Sequence, residues 1–96
     1  MTPTTILFVD DEPVIRASFV RDLELEGFSV VAVADGAAAL LALGRQQFDV
    51  VVTDLVMPGI DGFGVLKAVK RQAPQTSVVI LTGYGDMRSA IDAKTV

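Results

Sequence analysis

Two apolar runs in this chain end in carboxylates. Ile6-Leu7-Phe8-Val9 runs into Asp10-Asp11-Glu12, and Val50-Val51-Val52-Thr53 runs into Asp54, with Pro58 and Gly59 breaking the chain soon after. Two carboxylates brought ~4 Å apart repel by ~1 kcal/mol in water and ~4 kcal/mol at an effective dielectric of 20. A cluster of them therefore calls for either a raised pKa or a cation. The chain has no histidine and no cysteine, and oxygen ligands alone select a hard ion such as Mg²⁺, which takes one or two carboxylates, waters and a phosphate oxygen. Helix capping is the plain alternative and accounts for one or two of the acids at 10–12. Three in a row is more than a cap requires, which favours the cation. Asp54 alone would read as a turn former; it gains a chemical reading only from the other cluster.

Such a cluster needs a scaffold that gathers residues far apart in sequence. Ile6 to Val9 reads as a first strand, and Pro13 suits the first turn of the helix that follows. Ile15, Phe19 and Leu23 form its apolar stripe, Arg16, Arg21, Asp22 and Glu24 lie mostly off it, and Gly27 stops it. Phe28 to Ala34 is a second strand, Asp35-Gly36 a turn signal, and Ala37 to Leu43 a second helix. Phe48 to Thr53 is a third strand. Its Val50 to Thr53 stretch has no polar alternation, the mark of a strand buried on both faces. Phe63, Leu66 and Val69 space a third helix after Gly62, with Lys67, Lys70 and Arg71 on its wet side and last turn. Gly59 and Gly62 serve backbone geometry. Ser77 to Thr82 is a fourth strand and Met87 to Lys94 a fourth helix, with Asp86 as its N-cap. This alternation predicts a parallel sheet wrapped by helices through right-handed crossovers. The carboxyl ends of its strands then share one rim, where open α/β sheets place their ligands. Asp10, Asp11, Asp54 and Thr82 all fall on it.

The composition bounds the rest. Ninety-six residues make one domain at most, and 51% hydrophobic residues with a mean hydropathy of +0.52 predict a packed core. No apolar run approaches the ~20 residues of a membrane span, and the first five residues lack the basic and apolar regions of a signal peptide. A net charge of −4, with eight basic residues in no long block, argues against a nucleic-acid surface on this piece. A cytoplasmic domain without membrane or direct nucleic-acid contact is expected.

Three motifs in order carry a resemblance over essentially the whole chain. Val9-Asp10-Asp11-Glu12-Pro13, Asp54-Leu55-Val56-Met57-Pro58-Gly59-Ile60-Asp61-Gly62 and Leu81-Thr82-Gly83-Tyr84 strongly resemble the receiver domains of two-component response regulators. The resemblance implies a flavodoxin-like, doubly wound parallel sheet of order 2-1-3-4-5. It implies Asp54 as phosphoacceptor from the phosphohistidine of a sensor histidine kinase or a histidine phosphotransfer protein. It implies Mg²⁺, or Mn²⁺, held by Asp11, Asp54 and the backbone carbonyl of Val56, with Asp10 acting through a metal-bound water. Thr82 matches the switch hydroxyl, Gly83 the small residue that keeps the site open, and Met57 and Tyr84 line the site. The domain would be regulatory rather than an enzyme, assisting its own phosphorylation and dephosphorylation, and could switch a C-terminal output domain.

The family also carries a fifth strand and helix, with a lysine ending that strand. The chain has no counterpart to that lysine, since Lys94 is followed only by Thr95-Val96. A receiver incomplete at its C-terminus is therefore expected, with the Val78 to Leu81 edge and the Met87, Ala90 and Ile91 face of the fourth helix open to a homodimer partner. Three rival readings meet obstacles in the sequence or rest on a single feature of it. An aspartyl phosphatase needs a second Asp two residues after its nucleophile, and Val56 and Glu12 occupy those positions. A flavin module needs a phosphate cradle where the acidic triplet stands. A degenerate receiver acting only as an interaction scaffold is favoured by the missing lysine alone.

Overall fold

The computed structural model describes residues 2–81. Four strands, β1 (Thr5–Val9), β2 (Ser29–Val33), β3 (Val50–Asp54) and β4 (Ser77–Leu81), alternate with three helices, α1 (Pro13–Leu25), α2 (Gly36–Arg45) and α3 (Gly62–Gln72). The strands form one parallel sheet of order β2-β1-β3-β4. This is the doubly wound order expected from the sequence, with the chain reversing direction across the sheet between β1 and β3. Thr82, Gly83, Tyr84, the fourth helix and the apolar face proposed on it lie outside the described residues.

Side chains on a strand alternate between faces, and that alternation sorts the core. Leu7 and Val9 of β1, Val51 of β3, and Val78 and Ile80 of β4 pack with Ala39 of α2 and Val65, Leu66 and Val69 of α3. Phe8 points to the other face, where its ring stacks on Phe19 of α1 with centroids 4.8 Å apart. Among the described residues the first face is the better covered: Leu7, Val51 and Val65 are fully buried there, whereas on the second Phe8 is buried but Val50, Val52 and Val79 are half-buried.

The stripe on α1 departs from expectation for this reason. Ile15 and Phe19 remain 43% and 39% exposed, Leu23 is half-buried, and no residue of α1 is fully buried. Among the described residues α1 leans on β1 and β2, whereas α2 and α3 also pack on each other. A helix with a single supporting surface shields only part of its stripe. Among the described residues no helix is long and apolar enough to cross a membrane.

The loops that begin helices are fixed by side chains. Asp35, which the sequence marks only as a turn, N-caps α2 by accepting from the Ala38 N–H at 2.8 Å, and Asp61 caps α3 through the Gly64 N–H at 2.9 Å. Gly27 closes α1 at φ +97°, in the left-handed region that glycine enters freely.

Candidate functional site

β1 and β3 are neighbours, and Val9 pairs with Thr53 in register. That pairing sets the residues after β1 beside the last residue of β3. One carboxylate oxygen from each of Asp10, Asp11 and Asp54 lies within 4.8 Å of the others. Asp10 is buried, Asp54 half-buried and Asp11 exposed, so the cluster runs from the sheet out to solvent. A cleft lined by Asp11, Asp35, Pro58, Gly59 and Ile60 opens beside it.

Neither Asp11 nor Glu12 caps α1. Glu12 stands at the N-cap position and makes no side-chain cap bond. Asp10 Oδ1 instead accepts from the Glu12 N–H at 2.9 Å, and the Asp10 N–H donates to the Val33 carbonyl at 3.2 Å. The capping alternative therefore accounts for Asp10 at most, and the carboxylates of Asp11 and Asp54 are left facing one another's charge.

Asp54 shows the electrostatic cost. Burial, then the Asp10 carboxylate and more weakly Asp11, push its pKa above the usual carboxylate value, while the N–H groups of Val56 and Leu55 act in the opposite sense. Its Oδ1 is buried and has no hydrogen-bond partner. An orphaned anionic oxygen within 4.8 Å of two further carboxylates is the arrangement a hard cation relieves, so the donor set fits Mg²⁺.

The loop after β3 is braced from below. Gly62 donates its N–H to the Leu55 carbonyl at 3.0 Å, and a Cβ on Gly62 would lie 2.7 Å from the Asp54 carbonyl oxygen and 2.9 Å from the Leu55 Cα. Space, rather than an unusual φ, demands glycine at 62; Gly59, at φ +76°, is the conformational one. Met57 is buried at 6% exposure and packs in the core rather than on an open surface. Val56 turns its side chain outward at 65% exposure, leaving the backbone as the part of that residue available to the site. Ile60 fills the space over Gly36 and Gly64: a Cβ on either would come within 2.7 Å of it.

Two contributors escaped the sequence reading. Ile60 wedges the loop against the start of α2, and Arg16 reaches back from α1 to donate from Nη1 to the Asp10 carbonyl at 2.8 Å. Arg16 reads in sequence as one more polar residue off the apolar stripe. Only its position six residues after Asp10, across the strand-to-helix turn, could have hinted at the contact.

A parallel sheet of this order with an all-oxygen acidic site beyond its strand ends defines a flavodoxin-like domain of the CheY type. The chain matches the family model for the response regulator receiver domain over residues 6–96 and belongs to that family. It is 43% identical over 86 residues to the transcriptional regulatory protein TcrA of Mycobacterium tuberculosis, covering 90% of this chain and 34% of TcrA. Among solved structures, the chemotaxis response regulator CheY4 of Vibrio cholerae superposes with a TM-score of 0.84 at 32% identity, over 98% of this chain and 80% of CheY4. The response regulator TrrA of Thermotoga maritima, in complex with Mg²⁺-BeF, gives a TM-score of 0.82 at 32% identity, over 94% of this chain and 78% of TrrA. TrrA has also been crystallised with the histidine kinase ThkA. The chain spans about a third of the length of TcrA.

Proposed function

We propose that Asp54 is the phosphoacceptor of a Mg²⁺-dependent phosphotransfer, and that the chain acts as the switchable input of a two-component regulator in the cytoplasm. The observation that carries this reading is the orphaned, buried Asp54 Oδ1 within the three-carboxylate cluster. An Asp54 carboxylate oxygen attacks the phosphorus of a phosphohistidine. The new O–P bond forms as the P–N bond breaks, and the imidazole nitrogen keeps the electron pair and takes up a proton. Asp11, Asp54 and the Val56 backbone carbonyl would hold the Mg²⁺, with Asp10 acting through water. The ion supplies the positive charge that lets one anion approach another.

The chain's own residues do the rest. β1 and β3 hold the acids at a fixed spacing, and Gly62 and Ile60 keep the loop after Asp54 in one shape. Thr82, Gly83 and Tyr84 carry the switch and rim roles by resemblance. The donor is a histidine kinase or a histidine phosphotransfer protein, a reading supported by the kinase complex of TrrA. The greater length of TcrA supports an output domain as the responding partner. The activity is regulatory: one phosphoryl group stored and released.

The test is incorporation of phosphate from acetyl phosphate in the presence of Mg²⁺, followed by intact mass. One hydroxylamine-sensitive phosphoryl group is expected on the wild type and none on Asp54→Asn. Equal incorporation in both would assign the chemistry elsewhere.

A further inference from the structure

We propose that Arg16 is a positioning residue for the metal-binding acids, acting through the peptide that joins Asp10 to Asp11; the inference rests on reading those acids as Mg²⁺ ligands. The guanidinium Nη1 donates to the Asp10 carbonyl oxygen at 2.8 Å. That oxygen belongs to the planar peptide unit spanning the Cα atoms of both acids, so holding it sets the direction from which Asp11 leaves the loop. Asp10 is otherwise held by its N–H to Val33 and by its Oδ1, which accepts from the Glu12 N–H across Asp11. Arg16 supplies the bond on the peptide oxygen itself, from a helix whose first turn is already anchored by the Arg16 N–H to the Glu12 carbonyl at 2.9 Å.

The choice of partner is informative. Four carboxylates, Asp10, Asp11, Glu12 and Asp22, stand within six residues of Arg16 in sequence, yet among the described residues its guanidinium forms no ion pair and gives a donor to a neutral carbonyl. Like charges in the cluster push the loop open, and a tether on its backbone resists that push.

Charge and tether predict opposite signs. A cation acting by its field alone competes with Mg²⁺ for the same acids, so removing it would tighten metal binding. A tether lost would loosen the site and weaken binding. Partners that orient metal ligands from behind typically cost 10- to 100-fold in affinity when removed.

Calorimetric Mg²⁺ titration of the whole chain at fixed pH tests this with Arg16→Met, which keeps the aliphatic stem without the donor, and Arg16→Lys, which restores a cationic donor. Both are compared with wild type and Asp11→Asn well below their melting temperatures, where circular dichroism shows them folded. The expected result is a roughly 10-fold weaker affinity for Arg16→Met, with Arg16→Lys between it and wild type. Unchanged or tighter binding by Arg16→Met, or Arg16→Lys no better than Arg16→Met, overturns the inference while wild-type binding stands. A wild type that binds no Mg²⁺, or Asp11→Asn that binds it equally well, overturns the metal reading and the inference with it.

Discussion

At Asp54 the ionised carboxylate is opposed first by burial and then by Asp10 and Asp11, which makes this side chain a liability to the metal-free fold. Its folded pKa lies above its unfolded one, so the folded state holds the proton more tightly. Stability from this group is therefore present below the unfolded pKa and is lost as pH rises through the raised folded value. Asp54→Asn removes the charge and keeps the shape. In EDTA at neutral pH it should stabilise the chain by on the order of 1 kcal/mol, the scale of one close like-charge contact in water, and the gain should shrink as pH falls through the Asp54 titration. Urea unfolding at two pH values measures it, and a variant no more stable than wild type at neutral pH would refute it. At this scale the sequence was informative about the acids, because a parallel sheet delivers every strand end to one rim. It was silent about Arg16, whose contact runs through a backbone oxygen that leaves no signature in residue type.

Among the elements, the loop between β3 and α3 has little room to vary at Gly62. Gly62 faces only backbone atoms, the Asp54 carbonyl at 2.7 Å and the Leu55 Cα at 2.9 Å from a Cβ, so no neighbouring side chain can yield. Gly62→Ala should cost about 1–3 kcal/mol, the range for overpacking, and displace Asp54 as well. Gly64 differs, because a Cβ there meets the Ile60 Cγ2 at 2.7 Å but the Ile60 Cβ only at 3.9 Å. Gly64→Ala should therefore be destabilising beside Ile60 and tolerated beside Ile60→Ala, giving a coupling of about 1 kcal/mol or more in a double-mutant cycle. Additive single effects would count against the wedge. Strand and helix order was legible from the apolar runs and their breakers, with boundaries off by one or two residues, as where β3 begins at Val50 rather than Phe48. The poor burial of α1 was not legible, since Ile15, Phe19 and Leu23 have helical spacing whatever surface is there to receive them.

Over the whole molecule, the amino ends of the strands, remote from the acids, are fastened by side chains. Asp49 Oδ2 accepts from the Thr5 N–H at 2.8 Å and from its hydroxyl at 3.2 Å, and the Asp49 N–H donates to Thr5 Oγ1 at 3.1 Å, joining residues 44 apart. Thr76 adds a buried bond from its hydroxyl to the Phe48 carbonyl at 2.7 Å. These clasps fix register, which matters because a slip of one residue would turn every core side chain to the wrong face. Asp49→Ala should lower stability by about 1 kcal/mol without changing Mg²⁺ affinity, read from denaturant unfolding and calorimetry; a loss of metal binding would show that the two poles are not independent. The strand order has one more consequence, for a chain still on the ribosome. β1 lies between β2 and β3, so β2 can cover one of its edges early, while the other waits for residues that emerge only after α2. Until Asp49 arrives, Thr5-Ile6-Leu7-Phe8-Val9 presents a bare apolar edge of the kind that recruits other nascent chains. The strand that leads into the acids is thus open to misassembly during synthesis.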